Sequence, residues 1–150
     1  MKKIETQIII ESDSKTVWNV LTDFENHPNW NPFIKSIRGN KAVGQNLTVF
    51  LKPPESNGMT FKPVILTFEP YKEFRWKGKL GIKGIFDGEH YFIIEALNKQ
   101  QTRFIHGETF SGLLVLIMGK VLNKTKAGFE LMNQAIKKEC EKQKANLISS

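Results

Sequence analysis

An intramolecular disulfide is closed to this chain, because its single cysteine, Cys140, has no second thiol among the 150 residues. The same scarcity leaves no cysteine cluster for structural zinc, and a reducing, cytoplasmic setting is expected. Long apolar runs are also missing. The longest, Leu113–Met118, falls far short of the roughly 20 residues that cross a bilayer as a helix. Met1-Lys-Lys passes at once into an alternating pattern, without the apolar stretch and small-residue cleavage site of a secretory leader, so no leader is expected. Tyrosine is scarce, two against eleven phenylalanines, which suits an apolar interior better than a polar cleft. Arginine-rich clusters are lacking although the formal charge is +7. The excess is diffuse lysine, with seven Lys against three Glu over residues 112–150, so a solvated basic surface is expected and no nucleic-acid partner.

The length and the 40% apolar content fit one soluble domain spanning residues 1–150, large enough to bury a core unaided. Residues 4–11 alternate as a first strand, with Ile4, Ile8 and Ile10 on one face. Ser12 and Asp13 offer side-chain oxygens to the free amides of a helix over 14–22, whose apolar stripe is Val17, Val20, Leu21 and Phe24. Two prolines and three asparagines within 23–32 predict a short second helical turn and a loop anchored by Trp30 and Phe33, with His27 solvated. Strand patterns follow at 33–38, 45–52, 59–69 and 73–80. In the last of these Phe74 and Trp76 face one way, and Arg75 and Lys77 the other. The glycine spacing of 78–84 matches neither a dinucleotide fingerprint nor a P-loop, and predicts a mobile connection, a candidate flap. From Leu113 to about Lys144 a helical pattern runs through Ile117, Val121, Lys124/Thr125, Gly128, Leu131/Met132, Ala135/Ile136 and Cys140, with fraying beyond. Gly119 and Gly128 each weaken such a helix by about 1 kcal/mol against alanine, which predicts close packing at both.

The richest stretch is 84–112, two strands folded back on each other. Their parity places Phe86, His90, Phe92, Phe104, His106, Glu108 and Phe110 on one side. An aromatic face carrying two imidazoles and a carboxylate is unusual for a core, since a buried polar group costs a few kcal/mol without a partner. Two readings stand: a polar end to a cavity, or an internal hydrogen-bond network between strands. The trio lacks the tight spacing of a helical zinc motif, and no metal is assigned. Asp87 and Glu89 on the other face can pair with Arg75 or Lys77. Ser111 follows no nucleophile-elbow pattern. Six apolar residues in succession at Leu113–Met118 cover every side of a helix, and a second buried contact within the domain is expected for them.

The order strand, two short helices, six strands, long helix carries several local marks. They are Val17-Trp-Asn-Val-Leu-Thr-Asp23, Trp30-Asn-Pro-Phe33, Phe74-Arg-Trp76, Phe86-Asp-Gly-Glu-His90, Thr102-Arg-Phe104, His106-Gly-Glu108 and Phe110-Ser-Gly-Leu-Leu114. Together, over nearly the whole chain, these resemble the START/Bet v 1-like (SRPBCC) superfamily, within it the polyketide cyclase/dehydrase and lipid-transport group. The resemblance implies an α+β helix-grip fold: a curved seven-stranded antiparallel sheet wrapped around a long C-terminal helix, two short helices after the first strand, and an apolar cavity between sheet and helix.

The expected function is binding of a small or medium hydrophobic ligand by Trp30, Phe33, Trp76, Phe86, Phe92, Phe104, Phe110, Leu114 and Met118, with His90, His106 and Glu108 orienting any polar group. No cofactor is expected. Two other classes stand beside it. One is a cyclase or dehydratase using His90, His106 and Glu108 for proton transfer; the other is a protein-interaction or stress-response module. The apolar run followed by Lys120, Lys124 and Lys126 allows a weak contact with an anionic membrane, and the chain is expected to be a monomer or a homodimer.

Overall fold

The computed structural model describes residues 1–79 and 87–149, with side chains described as far as residue 146. In chain order it contains β1 (Lys2–Ile10), α1 (Ser14–Thr22), a 3-10 turn (Phe24–Asn26), α2 (His27–Trp30), β2 (Ile34–Gly39), β3 (Leu47–Leu51) and β4 (Met59–Phe61). There follow β5 (Val64–Glu69), β6 (Glu73–Lys79), β7 (Asp87–Asn98), β8 (Gln101–Ser111), a second 3-10 turn (Leu113–Ile117) and α3 (Gly119–Ser149). Residues 80–86 and Phe86 with them, including most of the glycine-spaced connection, lie outside the described residues.

Among the described residues every strand pairing is antiparallel, and the architecture is the α+β helix-grip fold. Five strands run in the order β1-β8-β7-β6-β5, and three in the order β2-β3-β4. The expected strand over 59–69 is broken in two, so eight strands are described rather than seven. Pro63 sits at the break, where its ring removes a backbone N–H and ends the ladder. The wall is still stitched across that point: Leu47 N–H donates to the Pro63 carbonyl at 2.8 Å, and Ile65 N–H to that of Gln45 at 3.0 Å.

Local chemistry explains the entry to α1. Asp13 Oδ1 accepts from Thr16 N at 2.8 Å, and the helix then buries Val17, Trp18, Val20 and Leu21. The following segment folds inward, against the expectation of a solvated His27. That ring is 1% exposed; its Nε2 donates to the Leu21 carbonyl at 2.6 Å, and its Nδ1 lies 3.1 Å from Asn31 Nδ2. Asn31 Oδ1 accepts from both Phe33 N and Ile34 N, each at 2.9 Å. The polar residues that suggested a loop thus satisfy one another internally and hold Phe33 in place.

The C-terminal region departs from its expected register. Leu113–Ile117 is a 3-10 turn, and α3 begins only at Gly119 and continues to Ser149. The buried face of α3 keeps Thr125, Gly128, Met132, Ile136 and Cys140 of the expected stripe and adds Leu122, Phe129 and Asn133, while Val121 and Leu131 are exposed. Phe129 was hidden by its polar and small neighbours. It is fully buried at the centre of the core, beside Phe33, Phe92 and Phe104. Gly128 is tightly packed, since a Cβ there would stand 2.5 Å from the Phe33 ring, whereas a Cβ at Gly119 would meet nothing within 4 Å. The expected inner contact for Leu113–Met118 forms only in part, through Val115, which is buried with Phe110 and Leu122, and Met118, which packs against them. Only Val115 is buried, while Leu113, Leu116 and Ile117 point outward at 79–84% exposure, because the tighter turn projects them away from the sheet.

Candidate functional site

Register builds the site. Across the inner face of the five-stranded sheet, Trp76, His90, Glu108 and Ile4 fall in one row through the pairs Trp76–His90, His90–Glu108 and Glu108–Ile4. The adjoining row is Phe74, Phe92, His106 and Thr6. Side chains on one face of neighbouring strands touch directly and diagonally, so polar groups from both rows can meet.

They do meet, in a chain of contacts. Glu108 Oε2 lies 3.2 Å from His90 Nδ1, and His90 Nε2 lies 2.8 Å from His106 Nε2. His106 Nδ1 lies 3.2 Å from Asn133 Oδ1 on α3. Asn133 Nδ2 donates to Thr6 Oγ1 at 2.8 Å, and Thr6 Oγ1 donates to the His106 carbonyl at 3.1 Å. Rings enclose the pair: Phe129 stacks on His106 with centroids 3.9 Å apart, and Trp76 on His90 at 4.8 Å. Both imidazoles are fully buried. Burial pushes His90 down to about 3 and Glu108 up to about 8. His106 falls well below the ordinary histidine value, through burial first and the neighbouring His90 second.

One end of this chain opens on a cavity of about 220 Å³. Its sheet side is Trp76, Gly88, Glu108 and Phe110, and its roof is Met118 with Leu122 and Thr125 from the start of α3. Phe33 and Leu51, with the segment 53–59, close a third side, and Lys79 stands at the rim. Gly88 leaves room for the carboxylate, since a Cβ there would crowd Glu108 Oε1.

Of the residues singled out from sequence, the structure brings Phe33, Trp76, Glu108, Phe110 and Met118 onto this wall. Phe92, Phe104, His90 and His106 lie behind it in the solid core, at 0% exposure. Trp30 packs instead on His27, with centroids 4.9 Å apart, and Leu114 is half-buried off the wall. Phe86 is outside the described residues. The wall residues missed were mainly those of 51–63, whose Pro53, Asn57, Gly58 and Pro63 signal turns but not what the turns enclose. Asn133 and Thr6 were missed as well, each looking like an ordinary surface residue until the helix and first strand are apposed.

Other candidate groups serve structural ends. Arg75 donates from Nε to Glu73 at 2.6 Å and from Nη1 to Glu89 at 3.0 Å on the outer face. Cys140 is fully buried, and burial pushes its thiol up to about 12, which leaves it unreactive. Among the described residues no group of three His, Cys, Asp or Glu is arranged to hold a metal ion, and no helix is long and apolar enough to cross a membrane.

Comparisons with known proteins agree with this architecture. The Zhui aromatase/cyclase from Streptomyces sp. R1128 superposes with a TM-score of 0.76 at 12% identity, over 95% of this chain and 94% of that one. A START superfamily protein from Mycobacterium smegmatis gives 0.75 at 17% identity, over 94% and 98%. Norcoclaurine synthase from Thalictrum flavum, in complex with dopamine and hydroxybenzaldehyde, gives 0.70 at 14% identity, over 94% and 87%. At these identities the likeness concerns the fold alone. No curated protein matches the sequence. The family model described as polyketide cyclase / dehydrase and lipid transport matches residues 1–148, and the chain belongs to that family, within the START-like superfamily.

Proposed function

We propose that the protein binds a small or medium-sized hydrophobic molecule in the cavity under the first turns of α3. The observation that carries this reading is the wall: aromatic and aliphatic side chains from the sheet and α3 around about 220 Å³, with one carboxyl at the inner end. Each large apolar group withdrawn from water contributes about 1.5–3 kcal/mol, so a few such contacts suffice for useful affinity. Membership of a family with a general role in hydrophobic-ligand binding supports the same reading. Phe110→Ala is expected to weaken uptake of an apolar fluorescent probe about tenfold, whereas Lys142→Ala, exposed near the far end of α3, leaves it unchanged. Native mass spectrometry of gently purified protein should find a co-purified small molecule. Absence of both probe uptake and a bound mass would exclude the proposal.

Delivery is part of it. Leu113, Leu116 and Ile117 stand exposed just before Met118 on the cavity roof, and Lys120 and Lys124 follow. This combination suits weak contact with an anionic membrane, from which an apolar ligand would enter.

One observation favours a second reading, cyclase or dehydratase chemistry. Glu108 is the acid on the cavity wall, with a raised proton affinity suited to proton transfer near neutrality. His90 and His106, walled off from the cavity, would act only through it. Under this reading Glu108→Gln abolishes turnover of a poly-β-keto substrate while probe binding survives; turnover that persists in the variant would remove Glu108 from the chemistry.

A further inference from the structure

The contacts behind Glu108 have a direction, and a backbone carbonyl sets it. The His106 carbonyl can only accept, so Thr6 Oγ1 donates to it and has a lone pair left for Asn133 Nδ2–H. That orients the Asn133 amide, turning Oδ1 toward His106 Nδ1. Nδ1 of His106 therefore carries the hydrogen, and in a neutral ring Nε2 is bare. Facing it at 2.8 Å, His90 Nε2 must then be the donor, which leaves His90 Nδ1 bare in turn. Glu108 Oε2 lies 3.2 Å from that bare nitrogen, and only a protonated carboxyl can complete the contact. A second proton on either imidazole would place a charge among Phe33, Phe92, Phe129 and Trp76, with no exposure to water. The five hydrogen bonds thus run one way, from acid to carbonyl.

We infer that the cavity is built for a neutral apolar molecule bearing a hydroxyl, whose O–H donates to Oε1 of an un-ionised Glu108, and that it discriminates against carboxylates. Since Oε2 carries the proton and is engaged by His90, Oε1 over Gly88 is the carboxyl's accepting oxygen on the cavity wall. An anionic ligand group would bring acceptors against an acceptor and leave its charge buried. Among the described residues on the wall, Lys79 is the one other ionisable side chain. It is exposed at the rim, on β6, rather than beside the carboxyl. From β7 the facing titratable group is His90, already engaged, while β1 presents Ile4, and Met118 with Val121, Leu122 and Thr125 of α3 adds no titratable group.

This inference rests on the proposed binding role, and three probes of one shape separate the two: naphthalene, 2-naphthol and 2-naphthoate. An apolar cavity of about 150 Å³ already accepts benzene, so a bicyclic ring is a reasonable occupant. Titration calorimetry near pH 6.5 should give naphthol about tenfold tighter than naphthalene, the worth of one good hydrogen bond, and naphthoate weakest of the three. Glu108→Gln should keep the naphthol preference, because the amide can donate to His90 Nδ1 and present its oxygen to the ligand. Glu108→Leu should erase the preference while naphthalene still binds. Naphthoate binding as tightly as naphthol, or a Glu108→Gln variant that holds naphthalene but no longer prefers naphthol, would overturn the inference and leave the binding role standing. Failure of all three probes to bind would overturn the binding role and the selectivity with it.

Discussion

At the scale of single residues, burial acts in opposite senses on the acid and the three histidines, and stability should record both. His27 and His90 are pushed down to about 4 and 3, and His106 well down, so the unfolded chain takes up protons that the fold refuses. Their contribution is fully present above about pH 6.5 and is lost as pH falls toward 4 and below. Glu108, raised to about 8, behaves in reverse: the fold keeps a proton that the unfolded chain releases above about pH 4.5. Its contribution is lost as pH rises to about 8. Three histidines outweigh one acid below about pH 6.5, and the acid acts alone above it, so denaturant stability should peak near pH 6.5. Glu108→Gln should flatten the fall between about pH 6.5 and 8 while leaving the acid limb in place. A wild-type stability that does not fall over that interval would contradict the protonated state of Glu108.

At the scale of elements, legibility followed periodicity. Strand parity over 84–112 correctly placed His90, Phe92, Phe104, His106, Glu108 and Phe110 on one face, because a period of two leaves little freedom. It could not tell which of them would stand on a cavity wall, since that depends on how deeply Phe129 and Phe33 fill the space above each row. The long helix was legible in existence and, at Thr125, Gly128, Met132, Ile136 and Cys140, in its inward face, but Leu122, Phe129 and Asn133 were missed. Its small and polar positions, Thr125, Gly128 and Asn133, face inward for reasons supplied by other elements: Phe33 for the glycine, and Thr6 and His106 for the asparagine. Pro63 was visible, yet a proline at a strand break looks the same as one on an edge until the ladder is seen.

The Gly128–Phe33 contact permits a test of that inward face. Gly128→Ala should lower stability by about 1–3 kcal/mol although alanine is the better helix former, because its methyl would drive the Phe33 ring from its place among Phe129, His90 and His106. Gly119→Ala, with open space around it, should be neutral or stabilising by up to about 1 kcal/mol. Urea denaturation of the two variants reads both signs, and equal effects would show that close packing plays no part at residue 128.

At the scale of the whole molecule, exposed Leu113, Leu116 and Ile117 sit at the foot of the roof that ends the cavity, with lysines close by in sequence. Triple replacement by serine should reduce co-sedimentation with vesicles containing phosphatidylserine several-fold while shifting the thermal midpoint by no more than about 2 °C, since surface changes cost little. Undiminished vesicle binding would remove this turn from any membrane contact.

The pairing of β1 with β8 has a consequence for the history of the chain. The first strand lies beside residues 102–110, and its Ile9 carbonyl accepts from Lys137 Nζ at 3.0 Å, far along the last helix. During synthesis β1 emerges with neither partner available and must wait unpaired while most of the chain follows. The cavity floor cannot close before β8, nor the hydrogen-bond chain before Asn133. Contacts so distant in sequence favour slow folding, and they leave the isoleucine-rich strand β1 in need of shelter until β8 and α3 have been made.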